Sequence, residues 1–329
     1  MISEAGTVTL AQLQQGLESR LQDVRDELRR LIADHFSLIT DVNAHLLQMQ
    51  GKLFRPTVVF LVDEATGRRG SATSSLAAVV ELIHLATLVH DDSVDHSVLR
   101  RGMPTINSLF SHQVSVIMGD YLYSRAVIEL VRLGDIEPLR VLSRVTNEMT
   151  VGEMRQLLAH DRLRFTEAEY DLLIRSKTAS LLSGAAEVGA LAAAPQVRSA
   201  MARFGEYLGM AFQIVDDLLD FTETESVTGK PSGNDLREHK VTLPLIFALP
   251  RITPAQQQRV QRLMDTPEPG DDLIGEVVAD VAAAGGLTYA RERAQQFAAR
   301  AEAELEVLPD SPARDTLRAS LSYVLERRR

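Results

Sequence analysis

Apolar residues recur at helical spacing through almost the whole of this 329-residue chain. No segment shows the two-residue alternation between hairpin turns that is typical of strands, so we expect no sheet. The apolar fraction is 45%, but aromatics contribute only 5% and tryptophan is absent, which indicates a core of Ala, Leu, Val and Ile in packed helices. The sequence therefore predicts an all-α fold. Gly and Pro breaks divide it into about ten or more helices, at Gly51, Gly67–Gly70, Gly102–Pro104, Gly134, Pro195, Gly229–Gly233, Pro250 and Pro267–Gly270.

Composition narrows the class of protein further. Because no linker, repeat or low-complexity stretch separates the helices, we expect one domain over residues 1–329. The absence of cysteine excludes disulfides and thiolate metal sites and fits a cytoplasmic location. A formal net charge of -10 argues against nucleic-acid binding. The first residues do not show the pattern of a leader peptide. No run reaches the roughly 18 uninterrupted apolar residues that a membrane span needs, so we expect no span.

Two helices carry acidic residues where apolar ones are expected. Residues 76–89 are apolar on most sides, yet Glu81, His84 and Thr87 form a polar stripe that leads to Asp91, Asp92 and Asp95. We expect these three carboxylates to converge. The pattern recurs in a second helix, with polar residues at i, i+3, i+4 and i+7 among apolar neighbours: Gln213, Asp216, Asp217 and Asp220.

Carboxylate clusters of this kind need a bound cation to offset their repulsion. Like charges one turn apart destabilise a helix, and burying unpaired carboxylates costs more. Magnesium suits them, because it takes oxygen ligands and commonly lies between one or two carboxylates and a substrate phosphate. A solvated helix end would account for one cluster, but it accounts poorly for two that lie inside apolar helices.

The order of these segments resembles the trans-type polyprenyl diphosphate synthases over residues 45–250. The loop Gly51-Lys52-Leu53-Phe54-Arg55-Pro56 is similar to the family's GGKRxRP loop. Further on, Gly152–Gln156 resembles its GExxQ segment, Lys177-Thr178 its KT pair, and 229–240 its GKPxGDDLREGKxTLP loop. The chain departs from these patterns at Gln50, Leu53, Asn234 and His239, and Leu53 replaces an arginine that could contact a diphosphate.

The resemblance implies a single large helical bundle around a deep central cavity, with a residue-by-residue division of roles. It implies three Mg²⁺ ions per site, replaceable by Mn²⁺, held by Asp91, Asp92, Asp95, Asp216, Asp217 and Asp220. Isopentenyl diphosphate would be bound by Lys52, Arg55, His84 and Arg101. The allylic diphosphate and its leaving pyrophosphate would be held by Arg100, Lys177, Lys230 and Lys240, with Thr178, Phe212 and Gln213 near the reacting carbons.

The implied reaction joins isopentenyl diphosphate to an allylic diphosphate and releases pyrophosphate. The small residues Ala86 and Thr87, five and four positions before Asp91, and the plain Asp92–Asp95 spacing favour a medium- or long-chain all-trans product. A twenty-carbon product is the alternative, if Met118 or Tyr121 closes the cavity. The family also implies a homodimer and allows transient membrane contact during product release.

Three other readings are weaker. A terpene cyclase would replace the second aspartate motif with an N-D-x-x-S-x-x-x-E type triad, and Asp216, Asp217 and Asp220 do not match it. A non-catalytic subunit of a heteromeric synthase would carry degenerate aspartate motifs, whereas both are intact. A di-iron bundle needs two Glu-x-x-His motifs, and Glu81–His84 is the one that we find.

Overall fold

The computed structural model describes residues 7–49, 51–67, 70, 72–158, 162–222 and 233–327. Over these residues the chain is almost entirely helical, so the prediction of an all-α fold is confirmed. The helices that lead to the first aspartate cluster are α1 (Leu10–Leu13), α2 (Glu18–Ile32), α3 (Ser37–Gln48), α4 (Phe54–Ala65) and α5 (Thr73–Val94).

A short hairpin follows α5, and here the expectation of no sheet was wrong. Strands β1 (Leu99–Arg100) and β2 (Met103–Pro104) pair antiparallel. The two turn residues, Arg101 and Gly102, have φ of 53° and 76°, as in a two-residue turn whose twist matches paired strands. Two residues per strand are too few for alternation to be seen in the sequence.

The remaining helices build the rest of the bundle. They are α6 (Ile106–Leu109), α7 (His112–Arg132), α8 (Ile136–Leu158), α9 (Glu167–Ile174), α10 (Ser180–Gly189), α11 (Pro195–Thr222), α12 (Asn234–Arg237), α13 (Leu243–Ala248), α14 (Pro254–Asp265), α15 (Asp271–Ala283), α16 (Gly286–Glu304) and α17 (Pro312–Glu326). A π-helical turn, Arg175–Ala179, joins α9 to α10, and 3₁₀ turns occupy Arg162–Arg164 and Leu305–Val307.

Helix α11 is the centre of the packing. It lies against α10 and α16 over most of its length, while α5 packs against α7, α2 and α4. Most buried apolar side chains form one continuous cluster, and a smaller cluster joins the end of α11 to helices α12–α15. Because both aspartate clusters lie at the ends of these two central helices, the core holds them in place.

Helix α5 also has the length and hydropathy of a membrane span. However, 61% of its most apolar window is buried within the fold, which is the position of a core helix. In the described part of the chain, the bent pair 271–283 and 286–307 passes the same test only if both helices are taken as one span.

Candidate active site

The first aspartate cluster lies where α5 ends. Asp91 and Asp92 belong to its last turn, and Asp95 is its C-cap residue. The Asp95 side chain is about one-third exposed, whereas that of Asp92 is buried. Burial raises the pKa of Asp91 to about 6, against a lowering by Lys177. The carboxylate of Asp91 is thus poorly hydrated and stabilised by a nearby cation.

Asp92 has a different environment from its neighbours. Arg100 Nε lies 2.9 Å from Asp92 Oδ1 and 2.8 Å from Oδ2, so it contacts both carboxylate oxygens. The chain reverses between α5 and β1, where His96 has a left-handed φ of 52°, and this reversal brings Arg100 back against the end of the helix. Asp92 therefore serves to hold Arg100 and the hairpin in this structure.

Lys177 reaches the first cluster from another part of the fold. Its Nζ lies 2.7 Å from Glu153 Oε1 and 3.7 Å from Asp91 Oδ2. Burial alone would lower the pKa of Lys177, but these two carboxylates outweigh it and raise the pKa. The lysine is therefore charged, and its contact with Asp91 is loose.

The π-helical turn that carries Lys177 depends on two close approaches. A Cβ at Gly209 would lie 2.5 Å from Ala179 Cα, and a Cβ at Gly152 would lie 2.8 Å from Ser176 Cβ. Neither glycine could be replaced without moving the turn. Single π turns inside helices are common at functional sites, and this one displays Lys177 and Thr178 on adjoining positions.

In the second cluster, Asp217 has both carboxylate oxygens occupied. Tyr170 Oη donates to Asp217 Oδ2 at 2.6 Å, and Gln213 Nε2 donates to Oδ1 at 2.8 Å. Burial raises the pKa of Asp217 to about 7, although both hydrogen bonds act to lower it. Thr178 Oγ1 in turn donates to Gln213 Oε1 at 2.8 Å.

Asp220 is engaged by the main chain. Its two oxygens accept hydrogen bonds from the backbone N–H groups of Asn234 and Asp235, at 3.1 and 3.0 Å. These N–H groups begin α12, so Asp220 satisfies donors that have no partner inside the helix. It thereby attaches the downstream loop to α11.

Asp216 is the exposed member of the second cluster, with 53% of its side chain accessible. Its Oδ1 accepts a hydrogen bond from Arg327 Nη2 at 3.0 Å. On the opposite side of the site, Asp95 Oδ2 lies 3.7 Å from Lys240 Nζ.

The six aspartates thus fall into two groups. Asp92, Asp217 and Asp220 have both oxygens bound by protein donors, whereas Asp91, Asp95 and Asp216 each contact one basic side chain. In the described part of the chain, no three acidic or histidine side chains come close enough together to enclose an ion. The side chains of each triplet are directed to different partners, and their joint role in holding metal stays a prediction.

A buried charged group lies behind the first cluster. Burial lowers the pKa of Arg55 and raises that of Glu81, while each charge partly offsets the penalty on the other. Burial and the adjacent arginines, Arg55 and Arg101 first, hold the pKa of His84 well below its usual range, so this imidazole is neutral. Arg55 Nε has no hydrogen-bond partner, which leaves a buried donor able to receive an anion.

The loop around Lys52 contacts Arg101, which lies close to the buried Arg55 and Glu81. Arg101 Nη1 donates to Met49 O at 3.1 Å, and Gln14 Nε2 donates to Lys52 O at 2.8 Å. A small cleft opens here, lined by Leu46, Met49, Leu85, Leu88, Val89, Asp92, Arg100, Arg101 and Ile106. The two arginines of the hairpin therefore lie in one cleft, with Arg100 directed to the aspartates and Arg101 to the loop.

Three departures from the family pattern have a structural account. Leu53 is buried, with left-handed φ of 54°, and precedes α4. His239 also takes the left-handed conformation that glycine favours, at φ 56°, and its Nε2 lies 2.9 Å from Thr266 O. Asn234 contacts Asp220 through its backbone N–H, so this contact does not require an aspartate there.

The remaining predicted residues differ in their contacts and burial. Phe212 stacks on Phe54 at 5.8 Å between ring centroids. Lys230 and Gln50 lie outside the described residues. Ala86 is fully buried, and Thr87 Oγ1 donates to His84 O at 2.7 Å.

The two residues suggested as cavity plugs lie in different surroundings. Met118 is buried in the core. Tyr121 Oη donates to Ile32 O at 3.1 Å, so its hydroxyl is directed to the end of α2. This contact argues against Tyr121 as a plug.

The structure adds three residues that the sequence did not single out: Glu153, Tyr170 and Arg327. Glu153 falls within the GExxQ segment and could have been found from it. Tyr170 and Arg327 contact aspartates 47 and 111 positions away, and no local pattern signals such contacts.

Comparison with known proteins agrees with this arrangement. Residues 36–281 match the family model described as polyprenyl synthetase. The octaprenyl diphosphate synthase of Escherichia coli (strain K12) is 39% identical over 282 residues, which cover 85% of this chain and 87% of the relative.

Two crystal structures resemble the whole fold. A decaprenyl diphosphate synthase from Rhodobacter capsulatus superposes with a TM-score of 0.91 at 35% identity, covering 98% of this chain and 100% of the other. A Caulobacter crescentus CB15 polyprenyl synthase complexed with calcium and isoprenyl diphosphate gives 0.92 at 30% identity, covering 98% and 99%. From the family match and these likenesses together, the chain belongs to the polyprenyl synthetase family.

Proposed function

We propose that the protein is a prenyl transferase that condenses isopentenyl diphosphate with allylic diphosphates and releases pyrophosphate. The observation that carries the proposal is the pairing of its three accessible aspartates with basic side chains, which are Lys177, Lys240 and Arg327. A site that pairs carboxylates with basic side chains suits a ligand that brings both phosphate and metal.

The donor set fits a hard divalent cation. Asp91, Asp95 and Asp216 would hold it most directly, because each of the other three aspartates already has a protein donor on both oxygens and would bind metal only through a remaining lone pair. A bound Mg²⁺ would neutralise the charge that develops on a departing diphosphate. The calcium in the Caulobacter structure supports a divalent ion of this class, and we propose three Mg²⁺ per site, replaceable by Mn²⁺.

The chain's own residues would bind and orient the two substrates. Arg100 and Lys177 lie beside the first aspartate cluster and would hold the allylic diphosphate, joined by Lys240 and Lys230. Arg55, Arg101, Lys52 and the neutral His84 would hold isopentenyl diphosphate deeper in the cleft. Positioning both in a site that excludes water favours transfer of the allylic group over its hydrolysis.

Gln213, Thr178 and Phe212 would face the reacting carbons. The carbonyl oxygen of Gln213 accepts from Thr178 and presents the negative end of a dipole. The ring of Phe212 presents its face. Both favour developing positive charge on the allylic group.

We propose a medium- or long-chain all-trans product. Relatives that the chain matches at 34–39% identity are named for seven, eight and nine isoprene units, and Ala86 and Thr87 leave the wall below Asp91 without an aromatic side chain. A twenty-carbon product is less supported, since Tyr121 is directed to α2.

We further propose one domain over residues 1–329, a cytoplasmic location and a homodimer.

The dimer would form through α7. Its outer face exposes five apolar residues at helical spacing, among which Ile117 is 67% and Val131 is 63% exposed: Val116, Ile117, Val127, Ile128 and Val131. An apolar face of this size calls for cover. One helix packed against its copy across a two-fold axis would cover it on both protomers. Transient membrane contact would serve release of an apolar product.

The test is product analysis with purified protein, Mg²⁺, isopentenyl diphosphate and allylic diphosphates of increasing length. We expect products of about eight to ten isoprene units, and turnover lower by several orders of magnitude in Asp91→Ala and Asp216→Ala. Both variants should stay folded, because Asp91→Ala removes a carboxylate that burial disfavours and Asp216→Ala alters an exposed side chain. Product formation after complete removal of divalent metal would contradict the metal assignment.

A further inference from the structure

Four side chains form a continuous hydrogen-bonded relay across the second aspartate cluster. Tyr170 donates to Asp217 Oδ2 at 2.6 Å, Gln213 Nε2 donates to Asp217 Oδ1 at 2.8 Å, and Thr178 donates to Gln213 Oε1 at 2.8 Å. The first and last members lie on α9 and on the π turn that follows it, whereas the middle two lie on α11. The relay therefore ties the lysine-bearing segment to the aspartate-bearing helix.

Tyr170 is the buried end of the relay. Its side chain is 2% exposed, and Asp217 is 6% exposed, so water does not replace the hydroxyl as a donor. Asp217 raises the pKa of Tyr170 in addition to burial, so the phenol keeps its proton and stays a donor. Nothing in the proposed reaction uses this hydroxyl directly, because its proton is committed to the carboxylate.

The relay also sets the direction of the Gln213 amide. Its NH₂ group faces Asp217, which accepts only when ionised, and its carbonyl oxygen faces the hydroxyl of Thr178. Turning the amide over would place its oxygen against Asp217, which is unfavourable. A carboxylate held on one side by Tyr170 therefore keeps the carbonyl dipole turned to the Thr178 side.

We infer that Tyr170 is a positioning residue that acts through Asp217 and Gln213 on the allylic group during transfer, and that Asp217 acts here as an acceptor within the protein. The inference rests on the proposed prenyl transfer. It assigns a role to a residue outside the aspartate, lysine and arginine motifs, and it separates Asp217 from the aspartates that would hold metal.

The test is Tyr170→Phe in the full-length protein, which removes one oxygen and keeps the ring that fills the core. We expect kcat to fall on the order of tenfold or more, as for removal of a group that orients a site residue. The apparent KM for isopentenyl diphosphate should stay within about twofold of wild type. The affinity for pyrophosphate in Mg²⁺, measured by calorimetry, should stay within about threefold, because Asp91, Asp95 and Asp216 are untouched.

The matched control is Tyr289→Phe. The Tyr289 hydroxyl also donates to a carboxylate, Glu167, at 2.8 Å, but this pair is not part of the site, so we expect wild-type kinetics. A Tyr170→Phe kcat within about twofold of wild type would overturn the inference. A parallel loss of pyrophosphate affinity in Tyr170→Phe would also overturn it, because that result would assign Asp217 to the metal. A loss of rate that matches the unfolded fraction of the variant would overturn it as well.

A second variant covers failure of Tyr170→Phe to fold. In Asp217→Asn the side chain keeps its shape and can still accept from Tyr170, but its NH₂ group would face that of Gln213 and drive the amide to turn over. We expect the same loss of kcat with pyrophosphate affinity retained, and wild-type kcat would overturn the inference. Absence of any product from the wild-type protein would instead contradict the proposed function itself.

Discussion

Arg327 lies directly against Asp216, the exposed aspartate of the second cluster. Its Nη2 is 3.0 Å from Asp216 Oδ1 and 2.8 Å from Phe212 O, and its guanidinium carbon lies 3.6 Å from the Phe212 ring centroid. Only 6% of the Arg327 side chain is exposed. A residue just beyond the last helix thus places a cation on a carboxylate that would hold metal.

Replacement of Arg327 should therefore tighten metal binding. In Arg327→Gln we expect the half-saturating Mg²⁺ concentration to fall about two- to fivefold, since an ion pair with an exposed partner contributes at most about 1 kcal/mol. Initial rates over a Mg²⁺ series would measure it. Arg318→Gln, which removes a surface pair between α17 and Glu302 of α16, should leave the constant unchanged. A rise in the constant of Arg327→Gln would contradict the competition.

The buried aspartates predict how stability depends on pH. The pKa of Asp217 is raised to about 7 and that of Asp91 to about 6, in both cases first by burial. Between about pH 4 and 7 the folded protein therefore binds more protons than the unfolded chain, so their contribution is greatest at low pH and is lost as pH rises. Urea unfolding with a metal chelator should show the stability of wild type relative to Asp217→Asn falling over this range. A difference that grows with pH would contradict the assignment.

Arg55, at the start of α4, and Arg100, in the hairpin, should separate the two diphosphate sites. Arg55→Gln acts in the buried group near Glu81, so we expect the apparent constant for isopentenyl diphosphate to rise about tenfold or more, with a much smaller change for the allylic substrate. Arg100→Ala, which frees Asp92, should show the opposite bias. Steady-state kinetics with each substrate varied in turn would measure both, and equal effects on the two substrates would rule out the division.

Product length should respond to Ala86. A phenylalanine here would occupy space along the path of the growing chain, and the surrounding helices cannot yield freely. We expect Ala86→Phe to shorten the product to about three or four isoprene units, as measured by chromatography of the dephosphorylated products. Since Ala86 is fully buried, thermal unfolding must first show that the variant is folded. An unchanged product distribution in a folded enzyme would place the length limit elsewhere.

The exposed face of α7 predicts the oligomeric state. Ile117→Asp combined with Ile128→Asp places charges on two of its exposed apolar positions and should convert a dimer to monomers in sedimentation velocity. Val307→Asp, at a 42% exposed apolar position away from this face, should leave the dimer intact. A wild-type monomer at micromolar concentration would contradict the proposed interface.

Much of this protein follows from local patterns in its sequence. Helical periodicity predicts the all-α class, since the side chains that face the core must recur every three to four residues. The positions of Asp91, Asp95 and Asp216 on two apolar helices are readable for the same reason, and the basic motifs at Lys52, Arg55 and Lys177 are short and contiguous. Each is a property of neighbours in the chain.

Only the tertiary structure decided which aspartates are accessible. Asp217 is bound by Tyr170 from α9, Asp220 by the backbone that begins α12, and Asp92 by Arg100, which the chain reversal after α5 brings back to the helix end. Aspartates one turn apart are alike in the sequence. They differ once other helices supply donors to some of them, and those donors reach the site through the packing of remote segments, whose spacing along the chain carries no periodic signal.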